Sequence, residues 1–150
     1  MATNFDEITL NFKGYYDVDS FVPNKAGIYC IYRAEYCGNM KIKLFELLYI
    51  GKSQDIGQRL ANHEHYDDWK RRLYYGEHLA CSFAQVNSRY RERAEAAMIY
   101  VHKREYPNLI NTSSTRSFNY GNTRIITTGV TNFLLNCFIV YSNGQWQEIQ

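Results

Sequence analysis

The sequence predicts one α/β domain, in which a small antiparallel or mixed β-sheet is flanked by helices. Its 150 residues, of which 45% are apolar and 21% charged, are typical of a globular domain with one continuous core. Two runs rich in β-branched and aromatic residues come before a segment with helical spacing. One more strand-like run and one more helical segment follow them. The predicted order is therefore strand, strand, helix, strand, helix.

The first two strands are predicted at residues 27–33 and 44–50. Pro23 and the Asn-Lys-Ala-Gly segment after it punctuate the chain just before the first strand. Residues 35–43 contain Gly38 and Asn39 and favour a hairpin connection that is longer than the tightest kind. The two strands are therefore expected to be antiparallel neighbours.

Helical spacing begins after Gly51, where Ser53 or Asp55 can cap a helix. This helix is expected to continue toward Trp69, with three residues on one stripe: Ile56, Leu60 and His63.

A third strand is predicted at residues 80–86. Ser88 is a suitable N-cap for a second helix that runs to about Arg104 and ends ahead of Pro107.

The two ends of the chain are predicted to extend a core at residues 23–111. Residues 1–22 are expected to be an N-terminal extension packed on that core. Residues 112–150 are expected to be a C-terminal extension, which opens with a polar Ser/Thr/Asn run. It closes with two strand-like runs around Ser-Asn-Gly, a pattern that predicts a β-hairpin.

Composition narrows the functional classes and the location. Lys and Arg outnumber Asp and Glu by only 17 to 15, although residues 88–116 are locally basic. The four cysteines form no CxxC pair, which disfavours a zinc site and suggests reduced, mostly buried thiols. We expect a cytoplasmic protein without membrane association, because no apolar run approaches a membrane span and the start of the chain lacks signal-peptide character.

The tripeptide Gly27-Ile28-Tyr29, followed by Tyr49-Ile50-Gly51, resembles the paired motif of the GIY-YIG nucleases. Further residues match this family in order and approximate spacing: Ile56, Arg59, His63, Glu95, Pro107 and Asn111. The resemblance covers roughly residues 23–111 and leaves both ends of the chain unexplained. It implies a GIY-YIG nuclease core there and an endonuclease that hydrolyses DNA phosphodiester bonds, of the small stand-alone or restriction type.

The resemblance also implies roles for individual residues. Tyr29 would be the general base that activates water, and Tyr49 would project beside it from the next strand. His63 is a rival base, since an imidazole already titrates near neutral pH. Arg59 offers a planar guanidinium suited to a phosphate. Lys52 is expected near the scissile phosphate.

Glu95 is the expected metal ligand, and Asn111 is expected to bind substrate or to fix a loop or a tyrosine. Glu95 interrupts an apolar helical run, where a carboxylate needs a partner or a metal ion. One carboxylate with water and phosphate suffices for a single Mg²⁺ or Mn²⁺. The alternative is an ordinary ion pair with Arg91, one turn earlier.

Several alternatives stay open. The chain could be a non-catalytic module that binds nucleic acid or protein, or a sequence-specific restriction enzyme. His63-Glu-His65 is not a HExxH metal motif. The basic clusters at 70–72 and at Arg89, Arg91 and Arg93 are more often solvated helix faces than DNA contacts. DNA is the expected partner, no partner protein is evident, and the oligomeric state is left open.

Overall fold

The computed structural model describes residues 4–39 and 41–150. In chain order its elements are β1 (Asp6–Asp17), β2 (Gly27–Cys37), β3 (Lys41–Ser53), α1 (Ile56–Ala61), α2 (Tyr66–Lys70), β4 (His78–Gln85), α3 (Ser88–Glu105), β5 (Thr123–Gly129), β6 (Cys137–Val140) and β7 (Trp146–Glu148).

The strands of the described residues form one sheet in the order β3-β2-β4-β1-β5-β6-β7. Neighbouring strands are antiparallel except β1 and β5, which are parallel, with Leu10 opposite Thr127. The predicted α/β class and the mixed sheet are confirmed. No helix of the described residues is long and apolar enough to cross a bilayer.

The predicted hairpin of β2 and β3 is present, and its strands are longer than expected. Antiparallel pairing continues to Cys37 opposite Lys41, so the connection is tight rather than long. Position 40 of this connection lies outside the described residues. Strand β2 lies between β3 and β4 and is therefore hydrogen-bonded on both edges.

Helices cover both faces of this half of the sheet. Alternate residues of β2, among them Ile28 and Cys30, pack in a core with α3, which contributes Ala97 and Met98. The residues between them point the other way, into a second core with the short helices α1 and α2. That second core contains Tyr29, Ile31, Leu48, Ile56, Leu60 and Trp69.

The predicted helix from Ser53 or Asp55 toward Trp69 is wrong in its continuity. Asp55 caps α1 by accepting a hydrogen bond from the Gln58 amide, but the helix ends at Ala61. The chain then turns, and the His65 amide donates to Nδ1 of His63 at 3.0 Å. His63 therefore lies in the connection between α1 and α2 rather than on a helical stripe.

The second predicted helix, α3, starts one residue from its expected cap. Asn87, not Ser88, is the N-cap, because its side chain accepts hydrogen bonds from the Arg89 and Tyr90 amides. The helix ends at Glu105, just ahead of Pro107 as predicted.

Both ends of the chain belong to the sheet itself. Strand β1 lies between β4 and β5 with Ile8, Leu10 and Phe12 buried. Strands β5, β6 and β7 continue the sheet, and the predicted C-terminal hairpin is the pair β6–β7. The N-terminal segment, expected to pack on a core, thus supplies the central strand of the sheet, and the C-terminal segment supplies three strands up to one edge.

The four cysteines are free. Cys30 and Cys81 are buried as expected, whereas Cys37 is exposed and Cys137 is partly exposed, so the thiols are not mostly buried.

Candidate active site

Four aromatic side chains meet on the face of the sheet that carries α1 and α2; we call Tyr29, Tyr49, His63 and Trp69 the aromatic cluster. Tyr49 lies opposite Ile31 in the β2–β3 pair and so shares a face with Tyr29. The two tyrosine rings stack with their centroids 6.3 Å apart. The His63 ring lies 4.4 Å from Trp69, which α2 contributes. Sheet register and the α1–α2 connection therefore assemble the cluster.

Gly51 makes room for the Tyr29 ring. It lies opposite Tyr29 in the strand pair. A Cβ at this position would stand 2.4 Å from both Cζ and Oη of Tyr29, closer than any real contact. Gly27 has a comparable reason, because a Cβ there would stand 1.9 Å from the Ala84 carbonyl oxygen of the neighbouring strand. The two motif glycines are thus explained by close approach.

The hydroxyl of Tyr29 and Nε2 of His63 are hydrogen-bonded at 2.7 Å. The direction of this bond follows from the other ring nitrogen. Nδ1 of His63 accepts from the His65 backbone amide and carries no proton. A neutral His63 must therefore hold its proton on Nε2 and donate it to the Tyr29 oxygen.

Burial sets the titration of this pair. Desolvation, followed by the charge of Arg59, lowers the pKa of His63 to about 4, so the ring is neutral at pH 7. Desolvation raises the pKa of Tyr29, and the nearby Arg59 guanidinium partly opposes this. Burial also raises the pKa of Tyr49 to about 12, with the charges of Glu95 and Glu64 adding to it. Both phenols are therefore protonated at neutral pH.

Arg59 projects from α1 and is held by Glu64, a residue that the sequence did not single out. Nη2 and Nη1 of Arg59 each lie 2.6 Å from one carboxylate oxygen of Glu64, which makes the pair bidentate. This contact lowers the pKa of Glu64 to about 2. Oε2 of Glu64 also lies 3.9 Å from Nδ1 of His63, so the ion pair borders the aromatic cluster.

Lys52 and Glu95 line a cavity of about 410 Å³ together with Glu92. Glu95 does not pair with Arg91, whose guanidinium donates two bonds of 3.2 Å to the Val86 carbonyl oxygen instead. Burial raises the pKa of Glu95 and the charge of Glu92 adds to this, while Lys52 lowers it. The cavity thus holds a half-buried carboxylate with a single lysine beside it.

The cavity and the aromatic cluster are neighbours without direct contact. Lys52 follows Gly51 along β3, so their positions alternate between the two faces of the sheet. Within the described residues, no hydrogen bond or ion pair joins Glu95 to Tyr29, Tyr49, Arg59 or His63. The charge of Glu95 nevertheless raises the pKa of both tyrosines, which places the carboxylate within electrostatic reach of them.

Asn111 fastens its segment to the outer edge of β3. Its Oδ1 accepts from the Ile50 amide at 3.0 Å, and its Nδ2 donates to the Ile50 carbonyl oxygen at 2.7 Å. Asn111 is 5% exposed. Both ends of the amide bond the residue between Tyr49 and Gly51, so the side chain holds the motif in place.

Most side chains of the basic clusters, though not that of Arg89, bond other groups of the protein. In the cluster at 70–72, Lys70 pairs with Asp19 at 2.8 Å, Arg71 with Asp68, and Arg72 with Glu46 at 3.4 Å. Arg93 likewise binds Asp6 and the Thr123 hydroxyl, which ties α3 to β1 and β5. These contacts are structural and leave few free cations on those helix faces.

A metal ion would have to be held mainly by Glu95. Within residues 4–39 and 41–150, no three or more His, Cys, Asp or Glu side chains are grouped to hold one. The burial that raises the pKa of Glu95 would be offset by a bound cation. The donor set fits a hydrated Mg²⁺ or Mn²⁺ with one protein carboxylate, and it does not fit a fully enclosed metal site.

Comparisons with known proteins found no family model that matches the chain, and no curated protein or solved structure similar to it.

Proposed function

We propose that the protein is a GIY-YIG-like DNA endonuclease that hydrolyses phosphodiester bonds with one Mg²⁺ or Mn²⁺ per site. The observation that carries the proposal is the 2.7 Å bond between Tyr29 and His63, beside Arg59 and next to the cavity of Glu95. Two phenols, an imidazole and a guanidinium on one face of the sheet, with a carboxylate within electrostatic reach of the phenols, are the groups that general-base hydrolysis of a phosphodiester uses.

The proton on the attacking water is assigned to Tyr29. His63 is a poor acceptor, because its Nδ1 is occupied by a backbone amide and its Nε2 already carries a proton. Tyr29 would act as its phenolate, formed by loss of the phenol proton to solvent. The His63 Nε2–H stabilises that negative charge until the phenolate oxygen takes the proton of the attacking water and returns to the neutral phenol. Arg59 acts in the same sense, since its charge lowers the pKa of Tyr29.

Substrate and water can reach the Tyr29 hydroxyl only after a local change in conformation. Tyr29 is 1% exposed, whereas Tyr49, whose ring stacks with that of Tyr29, is partly exposed. The Arg59–Glu64 pair beside the cluster is the polar contact that a substrate phosphate can replace, because a phosphate offers the guanidinium the same two oxygens. We therefore assign Arg59 to the substrate phosphate and Tyr49 to the wall of the site.

Glu95 would hold the metal ion, which when bound stabilises charge on the phosphate oxygens. Lys52, on the same cavity, would bind the phosphate chain. Asn111 is assigned a positioning role, since both ends of its amide are bonded to Ile50.

A non-catalytic DNA-binding module is the second candidate. It is favoured by the burial of Tyr29 and by the pairing of Arg59 with Glu64 in this structure. The restriction-enzyme alternative has less support, because the C-terminal strands complete the sheet and do not form a separate recognition element.

Incubation of the purified protein with supercoiled plasmid, with Mg²⁺, with Mn²⁺ or with EDTA, separates these candidates. Nicking that requires the cation is expected. The Glu95→Gln variant should lose cleavage and keep its fold and most of its DNA affinity, with Glu35→Gln as a control for the change in net charge. Normal cleavage by folded Glu95→Gln protein would contradict the single-metal assignment, and binding without any nicking by the wild type would favour the module.

A further inference from the structure

Residues 112–122, which follow the segment of the family resemblance, form an irregular loop that is firmly held; we call it the polar loop. Nη1 of Arg104 donates to the Thr115 carbonyl oxygen at 2.9 Å. Nη2 of Arg93 donates to the Gly121 and Asn122 carbonyl oxygens, each at 3.0 Å. The loop is thus fastened near both ends by arginines of α3.

The middle of the polar loop is anchored by an aromatic side chain. Phe118 is 4% exposed, and its ring lies 6.1 Å from Tyr100 of α3 and 5.5 Å from Tyr120. Its neighbours Ser117 and Asn119 are exposed. Burial of Phe118 therefore leaves the polar side chains on either side of it exposed.

Those outward side chains face the candidate metal ligand. The cavity of about 410 Å³ is lined by Lys52 and Glu95 together with Ser114, Ser117 and Asn119 of the polar loop. The Asn119 amide makes a single weak contact there, to the Ser117 hydroxyl at 3.4 Å. Hydroxyl and amide donors are consequently free to bond a ligand in the cavity.

The chemistry of this wall suits a phosphodiester chain next to a carboxylate. Hydroxyl and amide groups donate to phosphate oxygens without reading the bases. A lysine or arginine in their place would pair with Glu95 or Glu92, and it would compete with a metal ion. Neutral donors avoid that competition. Arg116, exposed and without an ion pair among the described residues, lies one position away from Ser117.

We propose that the polar loop is the second wall of the DNA-binding groove, in which Ser117 and Asn119 bond one phosphate beside Glu95 and Arg116 pairs with an adjacent phosphate. This proposal rests on the DNA binding that the proposed function includes. It assigns substrate binding to a segment that the family resemblance leaves unexplained.

The test is duplex DNA binding in EDTA, followed by fluorescence anisotropy over a range of salt concentrations. The Ser117→Ala/Asn119→Ala double variant should bind about tenfold more weakly, since hydrogen bonds to a charged group are the stronger kind. Arg116→Ala should lower the slope of log K against log salt by about 0.9, the value for one phosphate contact. In cleavage, both variants should raise KM and change kcat by less than about twofold.

Matched controls come from the same chain. Asn143→Ala removes an exposed amide from the β6–β7 turn, and Arg71→Ala removes an exposed arginine that pairs with Asp68. Both should leave affinity and salt slope unchanged, and circular dichroism should show that all variants are folded.

The outcomes separate the two proposals. Wild-type nicking with unaltered binding by the polar-loop variants overturns the polar loop's role and leaves the nuclease function standing. Wild-type binding without nicking, weakened in the variants, supports the polar loop and contradicts the nuclease. Absence of DNA binding by the wild type overturns both.

Discussion

The Arg59–Glu64 ion pair predicts that a single charge removal should strengthen substrate binding. Glu64 occupies both guanidinium nitrogens that a substrate phosphate would use, at 2.6 Å each. Glu64→Gln removes this competing charge and keeps the shape of the side chain. The variant should therefore bind DNA more tightly and show a lower KM.

The expected change in KM for Glu64→Gln depends on how exposed the two side chains of the ion pair are. The Glu64 side chain is 60% exposed and that of Arg59 33% exposed, so solvent screens the pair strongly. Exposed pairs contribute about 0.2–1 kcal/mol, and the bidentate geometry favours the upper part of that range. Since about 1.4 kcal/mol corresponds to a factor of ten, KM should fall roughly two- to fivefold with little change in kcat.

The assay is steady-state cleavage of a short fluorescent duplex at fixed Mg²⁺ over a range of DNA concentrations. Glu35→Gln is the matched control, because Glu35 is exposed, makes no ion pair among the described residues and gives the same change in net charge. A tenfold loss of kcat at constant KM would refute the reasoning and would show that Glu64 aims Arg59 productively. Unchanged kinetics would refute competition altogether.

Two further predictions concern pH. Because burial raises the pKa of Tyr29, the single-turnover rate should keep rising from pH 6 to 10, and Tyr29→Phe should lose on the order of 10²–10⁴ in rate. A rate that stays flat from pH 6 to 10 would argue for His63 as the base, since its pKa of about 4 leaves the ring neutral over that whole range. Burial also lowers the pKa of His102 to about 4 in the folded protein, against 6.5 in the unfolded chain. Between pH 6.5 and 4 the unfolded chain therefore binds a proton at this residue that the folded protein does not. The free energy of unfolding should fall over that range by about 3 kcal/mol in total. The pKa of His63 is likewise lowered to about 4, so His63 contributes a similar loss of stability. Urea unfolding of His102→Gln at pH 7 and pH 5 should therefore show about half the pH dependence of the wild-type free energy of unfolding. An undiminished dependence would exclude His102 as one of its causes.

The sequence predicted those strands and helices whose residue pattern is recognisable without knowledge of distant contacts. Strands β2, β3 and β4 and helix α3 were expected near their observed positions, because β-rich runs and a strong helical segment need no distant partner to be recognised. The break after Ala61 was not predicted. His63 continues the helical spacing, and only its bond to the His65 amide shows that the chain has turned.

Most residues of the candidate site could be predicted from the sequence, but the contacts between them could not. Tyr29, Tyr49 and His63 were expected together, and their rings form one cluster. Glu64 was missed because its pairing depends on the turn between α1 and α2, although an acid beside His63 and five residues from Arg59 was a visible clue. The tautomer of His63 likewise depends on a backbone amide that no spacing rule identifies.

Strand β1 explains why the end of the family resemblance is not a boundary of the fold. Its alternation of Ile8, Leu10 and Phe12 was readable as a strand, but its neighbours could not be predicted, since residues 6–12 pair with residues 123–129 at the far end of the chain. The other edge of β1 bonds β4, which in turn bonds β2 and so positions Tyr29. The polar loop connects α3 to β5, the parallel partner of β1. The β1–β5 pair therefore brings the far end of the polar loop, at Gly121 and Asn122, back to Arg93 of α3. The position of the polar loop beside Glu95 thus depends on the same long-range pairing as the centre of the sheet.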